Sequence, residues 1–377
     1  MTIPFEIATI VWGEQYTKLF LDYLVPNYLS ENNIPLASRR YAISSTIYTR
    51  PEDAEQIASH PHYRKLREFI DGEIVPLIDQ KVLAPNNKYH AKGYCQSVAI
   101  KRAIESKKVI LLLNPDSLIS DGGLTKCCSL IAEGKKAVLV GELARTEIES
   151  VLPHLAPFYN PQSYALTLPN RKLVELGVKH LHYVAKILFW HGEIFSQWPS
   201  IVYWRAGTNS LLAKFFHLHP LAIDLRNIRR KLPAILMPDD GGLIEFLGIR
   251  PEEIHPVTDS EEIACVELTS KTLFLENSMN YDAKKKPRGL LNFSFRYALP
   301  SHIDQFLHLN LRFQGDDAVN WSERERLAAD DLGVLTSVLS VIKTVNQIKK
   351  TGIKILRFTA ILLGMRYIKR LIAKRKK

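Results

Sequence analysis

The residue best placed to do chemistry in this 377-residue chain is a carboxylate at the end of an apolar run. Residues 109–113 read Val-Ile-Leu-Leu-Leu and pass straight into Asn114-Pro115-Asp116-Ser117, with Ser120-Asp121-Gly122-Gly123 close behind. In open α/β sheets ligands bind beyond the carboxyl ends of strands, which is where Asp116 projects. A carboxylate there can hold a divalent ion that neutralises a diphosphate leaving group. The competing readings are a plain strand-to-loop turn for Asp116 and, for Asp121, the cap of the next helix. His217 and His219 lie on one side of the chain if their segment is extended, and imidazole ligates transition metals; the plainer alternative is a His-Pro loop packed on the sheet. Asp239 and Asp240, between Pro238 and Gly241-Gly242, occupy a loop that can approach a ligand closely. Two adjacent acids can raise one pKa into the range needed to take a proton from an acceptor hydroxyl, and a solvated turn accounts for the pair equally well. Asp259-Ser260-Glu261-Glu262 reads as a helix cap and exposed charge run.

Such residues need a scaffold, and the first ~140 residues alternate β-rich runs with amphipathic stretches, the pattern of a βαβ sheet with helices on its faces. Strands are predicted over 7–12, 41–48, 73–78, 109–113 and 137–140. Helices fall between them over 14–30, from Pro51, over 89–105 and over 124–133. Pro51 followed by Glu52 and Asp53 suits the first turn of a helix. Further on, the pattern predicts a helix over 171–189, a strand over 201–205, a short helix over 210–217 and a late strand over 262–268, with Lys284-Lys285-Lys286-Pro287 as a solvated turn or linker. No internal repeat or low-complexity tract is present.

The order of small-residue helix, apolar strand and Asp with polar neighbours resembles the segment of GT-A glycosyltransferases that ends in the metal-binding Asp-X-Asp motif. The opening strand and helix over 7–24, and a second strand carrying Ser44, Ser45 and Thr46, are similar to the nucleotide-binding half of that fold. The resemblance spans residues 5–140 and, more loosely, 200–270. It implies an α/β, GT-A-like (Rossmann-like) mixed sheet flanked by helices. It also implies that Val11, Trp12, Gly13 and Tyr16 meet a nucleotide base and ribose, as do Thr46 and Tyr48 at the end of the second strand, while Asp79 bonds base or ribose. Asp116 and Ser117 would then face the diphosphate, and His217 or His219 would complete a Mn²⁺ or Mg²⁺ site with Asp116. The chain departs from the motif in having Asp116-Ser117-Leu118, with no second Asp two places on; Asp121 or a later histidine is the alternative ligand.

Charge and cysteines narrow the class. The formal net charge is +11, yet twelve Lys and Arg and no Asp or Glu fall within residues 341–377, which leaves the remaining body close to neutral. That distribution favours a local electrostatic contact over a nucleic-acid-binding fold. Four cysteines without CxxC spacing point to a reducing compartment. No signal peptide is apparent, and no run reaches the ~18 apolar residues of a spanning helix.

The expected organisation is therefore a GT-A-like catalytic domain over 1–280, an acceptor-side or linker segment over 281–340 and a basic amphipathic helical tail over 341–377 lying on an anionic membrane surface. The expected function is transfer of a sugar from a nucleotide diphosphate sugar to a glycan or lipid-linked acceptor, on the cytoplasmic, inner face of the cell membrane, in surface-polysaccharide assembly. The alternatives are a nucleotidyltransferase of related fold, for which Val11 to Thr17 lacks the usual basic phosphate loop, and a non-catalytic membrane-bound adaptor.

Overall fold

A computed structural model describes residues 2–78, 88–229, 242–273, 289–290, 293, 307–315 and 318–333. In chain order its strands are β1 (Pro4–Ile10), β2 (Ala42–Tyr48), β3 (Asp71–Val75), β4 (Val109–Leu112), β5 (Ser117–Ile119), β6 (Ala137–Val140), β7 (Leu143–Glu147), β8 (Tyr159–Asn160), β9 (Ala165–Leu166), β10 (Ile201–Arg205), β11 (Leu211–Phe215), β12 (His219–Asp224), β13 (Ile254–Val257), β14 (Cys265–Thr269) and β15 (Leu311–Phe313).

Seven of these strands form one sheet in the order β13-β6-β12-β4-β1-β2-β3. β1 runs parallel to both β2 and β4, β2 to β3, and β13 to β6. β12 alone is reversed, antiparallel to β4 on one side and to β6 on the other. The central strands are buried on both faces, all four residues of β4 and of β6 included, which is why they read as unbroken apolar runs.

Helices cover the sheet. α1 (Glu14–Leu19) and α2 (Val25–Tyr28) are joined by a π-helical turn over Phe20–Leu24. They are followed by α3 (Ile34–Arg40), α4 (Pro51–Ser59), α5 (Pro61–Leu66), α6 (Lys88–Glu105) and α7 (Gly123–Ala132). α6 lies on β1 and β4 through Ala91, Cys95, Ala99, Ile100 and Ala103, a buried stripe at helical spacing. α7 packs on β6, β12 and α3. Among the described residues three smaller sheets accompany it: the two-stranded β8-β9, then β5-β14-β7, and last β10-β11-β15. The β10-β11-β15 sheet has its own apolar cluster, in which Trp204, Leu212 and Phe216 meet Leu307, Ala328 and Leu332, so the described part of the 281–340 segment supplies β15 and packs against this sheet.

Three expectations change. Residues 211–215 form a strand, not a helix, because they pair antiparallel with β10 and, on the other edge, with β15. The helix expected over 171–189 stops at Lys179 and resumes only as a short turn over Tyr183–Lys186, with His182 accepting the Val184 N–H between them. Asp121 does not cap α7, whose N-cap is Gly122 with φ of +82°; its carboxylate instead accepts the Ser30 hydroxyl and, at 2.7 Å, the Asn32 amide, tying the start of α7 to the loop before α3. The basic run 341–377 lies outside the described residues, and among the described residues no helix is long and apolar enough to cross a membrane.

Candidate active site

Asp116 leaves the carboxyl end of β4 on a fixed backbone. Its own carbonyl accepts the Leu268 N–H at 2.7 Å and the Ser117 N–H bonds back to Asn114 at 3.3 Å. β5 then pairs with β14, so the turn is held from both sides. Beyond it lie two lobes of one cleft. The first, about 250 Å³, is walled by Ile10, Val11, Trp12 and Tyr16 from the end of β1 and the start of α1. The second, about 290 Å³, is walled by Glu142, His217, His219 and Phe215. Lys92, Asp116, Arg145 and Glu267 border both lobes.

The electrostatics of this junction are unusual. Burial, and next the Glu267 carboxylate, push the Asp116 carboxyl up to about 7, with Glu142 adding to the effect and Lys92 opposing it. Burial also raises Glu142; Glu267 adds to that while His219, Ser117 and Lys92 pull the other way. Three acids thus converge where water is partly excluded, a setting that favours a cation or a shared proton. Arg145, whose guanidinium lies 3.7 Å from Glu267, has a backbone φ of +64°. Non-glycine residues adopt that conformation at a cost of order 1–3 kcal/mol, and such strain collects at ligand sites.

The loop after β1 is built with equal care. Gly13 has φ of +83° and ψ of +146°, a region open essentially to glycine alone. Its N–H donates to Asp53 at 2.8 Å, and Arg50 clamps the same carboxylate through two bonds. Against burial, which would raise it, the Arg50 guanidinium and the Gly13 N–H hold Asp53 below the usual carboxylate range. The Val11 N–H bonds the Tyr48 carbonyl at 3.0 Å.

The sequence-predicted residues separate into groups. Val11, Trp12, Tyr16, Asp116, His217 and His219 come together around the cleft, and Gly13 follows Trp12 in the loop after β1 without lining either lobe. Ser117 is buried at the start of β5. Thr46 and Tyr48 are not brought to the cleft: they line a separate cavity of about 640 Å³ with Glu6, Arg102 and Lys108. The reason is strand alternation, since residues two apart share a face; the Thr46 hydroxyl is committed to Glu6, which is also paired with Lys108 at 2.7 Å. Asp79, Asp239 and Asp240 lie outside the described residues. His219 faces the Leu112 carbonyl at 3.1 Å and His217 stacks on Phe293.

Sequence reasoning missed Glu142, Glu267, Lys92 and Arg145. Glu142 carried a usable signal: it follows β6 as Asp116 follows β4, and the same strand-end rule applies to both. Glu267 is a lone charge in the middle of the apolar strand Cys265–Thr269, which does not by itself say what it faces.

A divalent ion at this junction has carboxylates to hold it, but no ready-made cage. Among the described residues the group of three whose ligating atoms all lie within 4.8 Å of one another is Asp22, His60 and His62, not Asp116 with His217 and His219. The junction suits a hard cation that takes one or two carboxylates and fills its remaining positions with phosphate and water oxygens, as Mg²⁺ and Mn²⁺ do.

No family model matches the chain, and no curated protein matches it. Among solved structures, the crystal structure of the apo form of mouse xyloside xylosyltransferase 1 is similar at 9% identity and a TM-score of 0.32, covering 74% of this chain and 91% of that one. A likeness so slight supports nothing by itself. The mixed seven-stranded sheet with its single reversed strand, and the cleft beyond the carboxyl ends of β1 and β4, stand on the strand order and registers. The fold is α/β, a mixed sheet flanked by helices.

Proposed function

We propose that the chain is a glycosyltransferase that moves a sugar from a nucleoside-diphosphate sugar to a hydroxyl acceptor. The observation that carries this reading is the two-lobed cleft with Asp116 at its waist. One lobe has the aromatic and aliphatic walls that a base and ribose require. The other has the acids and imidazoles that an acceptor hydroxyl requires. The border they share carries Lys92 and Arg145, cations suited to a diphosphate.

In this reading Trp12 and Tyr16 bind the nucleoside, and Lys92 and Arg145 orient the diphosphate. Asp116, with Glu142 or Glu267 beside it, holds a Mg²⁺ or Mn²⁺ ion, which when bound supplies charge to stabilise the departing nucleoside diphosphate. Glu142 has a carboxyl raised toward the range of a general base and stands in the acceptor lobe, so among the described residues it is the group to take the acceptor proton. Asp239 and Asp240 are the bases read from sequence.

A glycan or lipid-linked acceptor, in surface-polysaccharide assembly at the inner membrane face, is the setting we propose. It rests on the basic run 341–377, whose cations could each contribute up to ~1 kcal/mol near an anionic surface. Flotation with anionic vesicles should show salt-sensitive binding that disappears when that run is deleted.

Calorimetry with uridine and guanosine diphosphates, with and without Mn²⁺, tests the central reading. Binding should be tighter with the ion and should lose that enhancement in Asp116→Asn. If no nucleoside diphosphate binds under either condition, the glycosyltransferase reading fails.

A further inference from the structure

Away from the cleft, three side chains with metal-ligating atoms meet at the π-helical turn between α1 and α2. Asp22 stands on that turn, His60 is the N-cap of α5 and His62 lies in its first turn. One ligating atom from each falls within 4.8 Å of the other two, and none of the three lines either lobe of the cleft. Single π turns inside helices are frequent at functional sites.

The imidazole of His62 is held in a ligand-like pose. Its Nδ1 faces the Leu21 carbonyl oxygen at 2.8 Å, so that nitrogen carries the proton and donates. Nε2 is left with its lone pair, facing the Tyr159 hydroxyl at 2.9 Å. A carbonyl on the far nitrogen is the arrangement that fixes tautomer and orientation in metal-bound histidines. His60 places Nε2 3.4 Å from Asp22 Oδ1, and the two side chains are only 22% and 29% exposed.

We propose that Asp22, His60 and His62 bind one divalent transition-metal ion of the zinc class, with the Tyr159 hydroxyl beside the open coordination position. Two imidazoles and one carboxylate suit Zn²⁺ or Co²⁺ and are poorly matched to Mg²⁺ or Ca²⁺, which prefer all-oxygen shells. Three contacts must give way. The Tyr159 hydroxyl donates to the His62 Nε2 lone pair at 2.9 Å and must turn aside when that lone pair takes the ion. The His60 Nδ1 accepts the His62 N–H at 3.3 Å; with the ion on Nε2 the ring proton moves to Nδ1 and that long cap bond is surrendered. Lys18, 2.5 Å from Asp22, must release the carboxylate, and being a surface partner it does so at small cost. The ion would tie the π-helical turn after β1 to the start of α5, two segments separate in sequence. The rival account is a metal-free hydrogen-bond network that caps α5, with Asp22 already neutralised by Lys18.

The two accounts are separated with full-length protein stripped by a chelator and titrated with Zn²⁺ and Co²⁺. The proposal expects one ion per chain, a raised melting temperature and, with Co²⁺, the intense visible absorption of a four- or five-coordinate site. Asp22→Asn and the His60→Ala, His62→Ala double variant should each lose the cobalt spectrum while keeping the wild-type circular dichroism. Asp116→Asn, in the cleft, should keep it. Absence of saturable binding in the wild type would overturn the proposal, as would an unchanged cobalt spectrum in either cluster variant. Should the double variant not fold, Asp22→Asn alone decides, since Asp22 is a partly exposed surface acid.

Discussion

The two ends of β4 present the same chemical difficulty with opposite solutions. At its amino end Asp224, on the neighbouring β12, sits opposite Val109. Its side chain is 1% exposed and fully answered: Lys136 lies 2.8 Å from Oδ2, and Arg226 forks onto both oxygens at 2.8 and 2.9 Å. Against burial, those bonds hold its carboxyl down to about 2. At the carboxyl end, Asp116 faces Glu267 and Glu142 and is pushed up to about 7. One end places cations around a buried acid; the other gathers acids around it. A buried acid raised by burial and by neighbouring acids in a cleft is a pattern that marks candidate functional sites, whereas the fully paired Asp224 is one that structural ion pairs produce.

The largest effect should come from breaking the answered end. Asp224→Ala strands Lys136 and Arg226 beside a buried void and should cost about 3–5 kcal/mol in urea or thermal unfolding. It should leave nucleotide affinity per folded molecule unchanged. An effect below ~1 kcal/mol would mean that the pairing carries little of the stability.

Next in size is the open end. Asp116→Asn keeps the shape and removes the charge, and should lower glycosyl transfer by about 100-fold or more, the scale on which removal of one electrostatic stabiliser acts. Its circular dichroism should match the wild type. Normal turnover would move the reacting centre elsewhere. Gly13→Ala is expected to cost about 1–3 kcal/mol of stability, since alanine must adopt a backbone conformation reserved for glycine, and to weaken nucleotide binding by displacing the wall formed by Val11 and Trp12. A neutral result would show that the loop relaxes.

Smaller again, because the cleft admits water that screens the charges, is the pH dependence, and here the two ends should differ in sign. Asp116 is raised from 3.8, so its contribution is present below that value and is lost as pH climbs toward 7. Asp224 is lowered from 3.8, so its contribution is present above that value and is lost as pH falls toward 2. Melting temperatures of metal-free protein between pH 4 and pH 7.5 should therefore decline less in Asp116→Asn than in the wild type, and Mn²⁺ should restore the wild type alone. Parallel profiles would remove the uncompensated acid from the comparison.

How much of this could be read from residues alone depended on whether local pattern and tertiary pairing agreed. They agree best in the first 140 residues, where β4 and β6 are plain apolar runs between helical stretches and fall where the pattern puts them, although it anticipates neither α3 nor the short β5. They disagree around β11 and β12. Residues 211–215, Leu-Leu-Ala-Lys-Phe, favour a helix by propensity; pairing with β10 and β15 overrides that, and the Gly207-Thr208-Asn209-Ser210 turn before them was the available hairpin cue. β12 is harder still, because Pro220 argues against a strand inside a sheet. The register shifts between Pro220 and Ala222, a bulge that lets the proline sit in the ladder without a donor. At the candidate site, Asp116 was legible because a strand ends in it. Glu267 was not, because its role depends on a pairing between β5 and β14 that joins residues ~150 apart in sequence.

The reversed strand also has a consequence in time. The half-sheet β3-β2-β1-β4 is complete once residue 112 has left the ribosome, and β6 follows by residue 140. Neither can join the other, because the strand that bridges them ends at Asp224. At elongation rates of about 5–20 residues per second the growing chain therefore carries the bare edge of β4 and a wholly unpaired β6 for several seconds, each a template for pairing with another chain. A nascent chain halted near residue 200 should consequently recruit holdase chaperones, and one released after residue 230 should shed them.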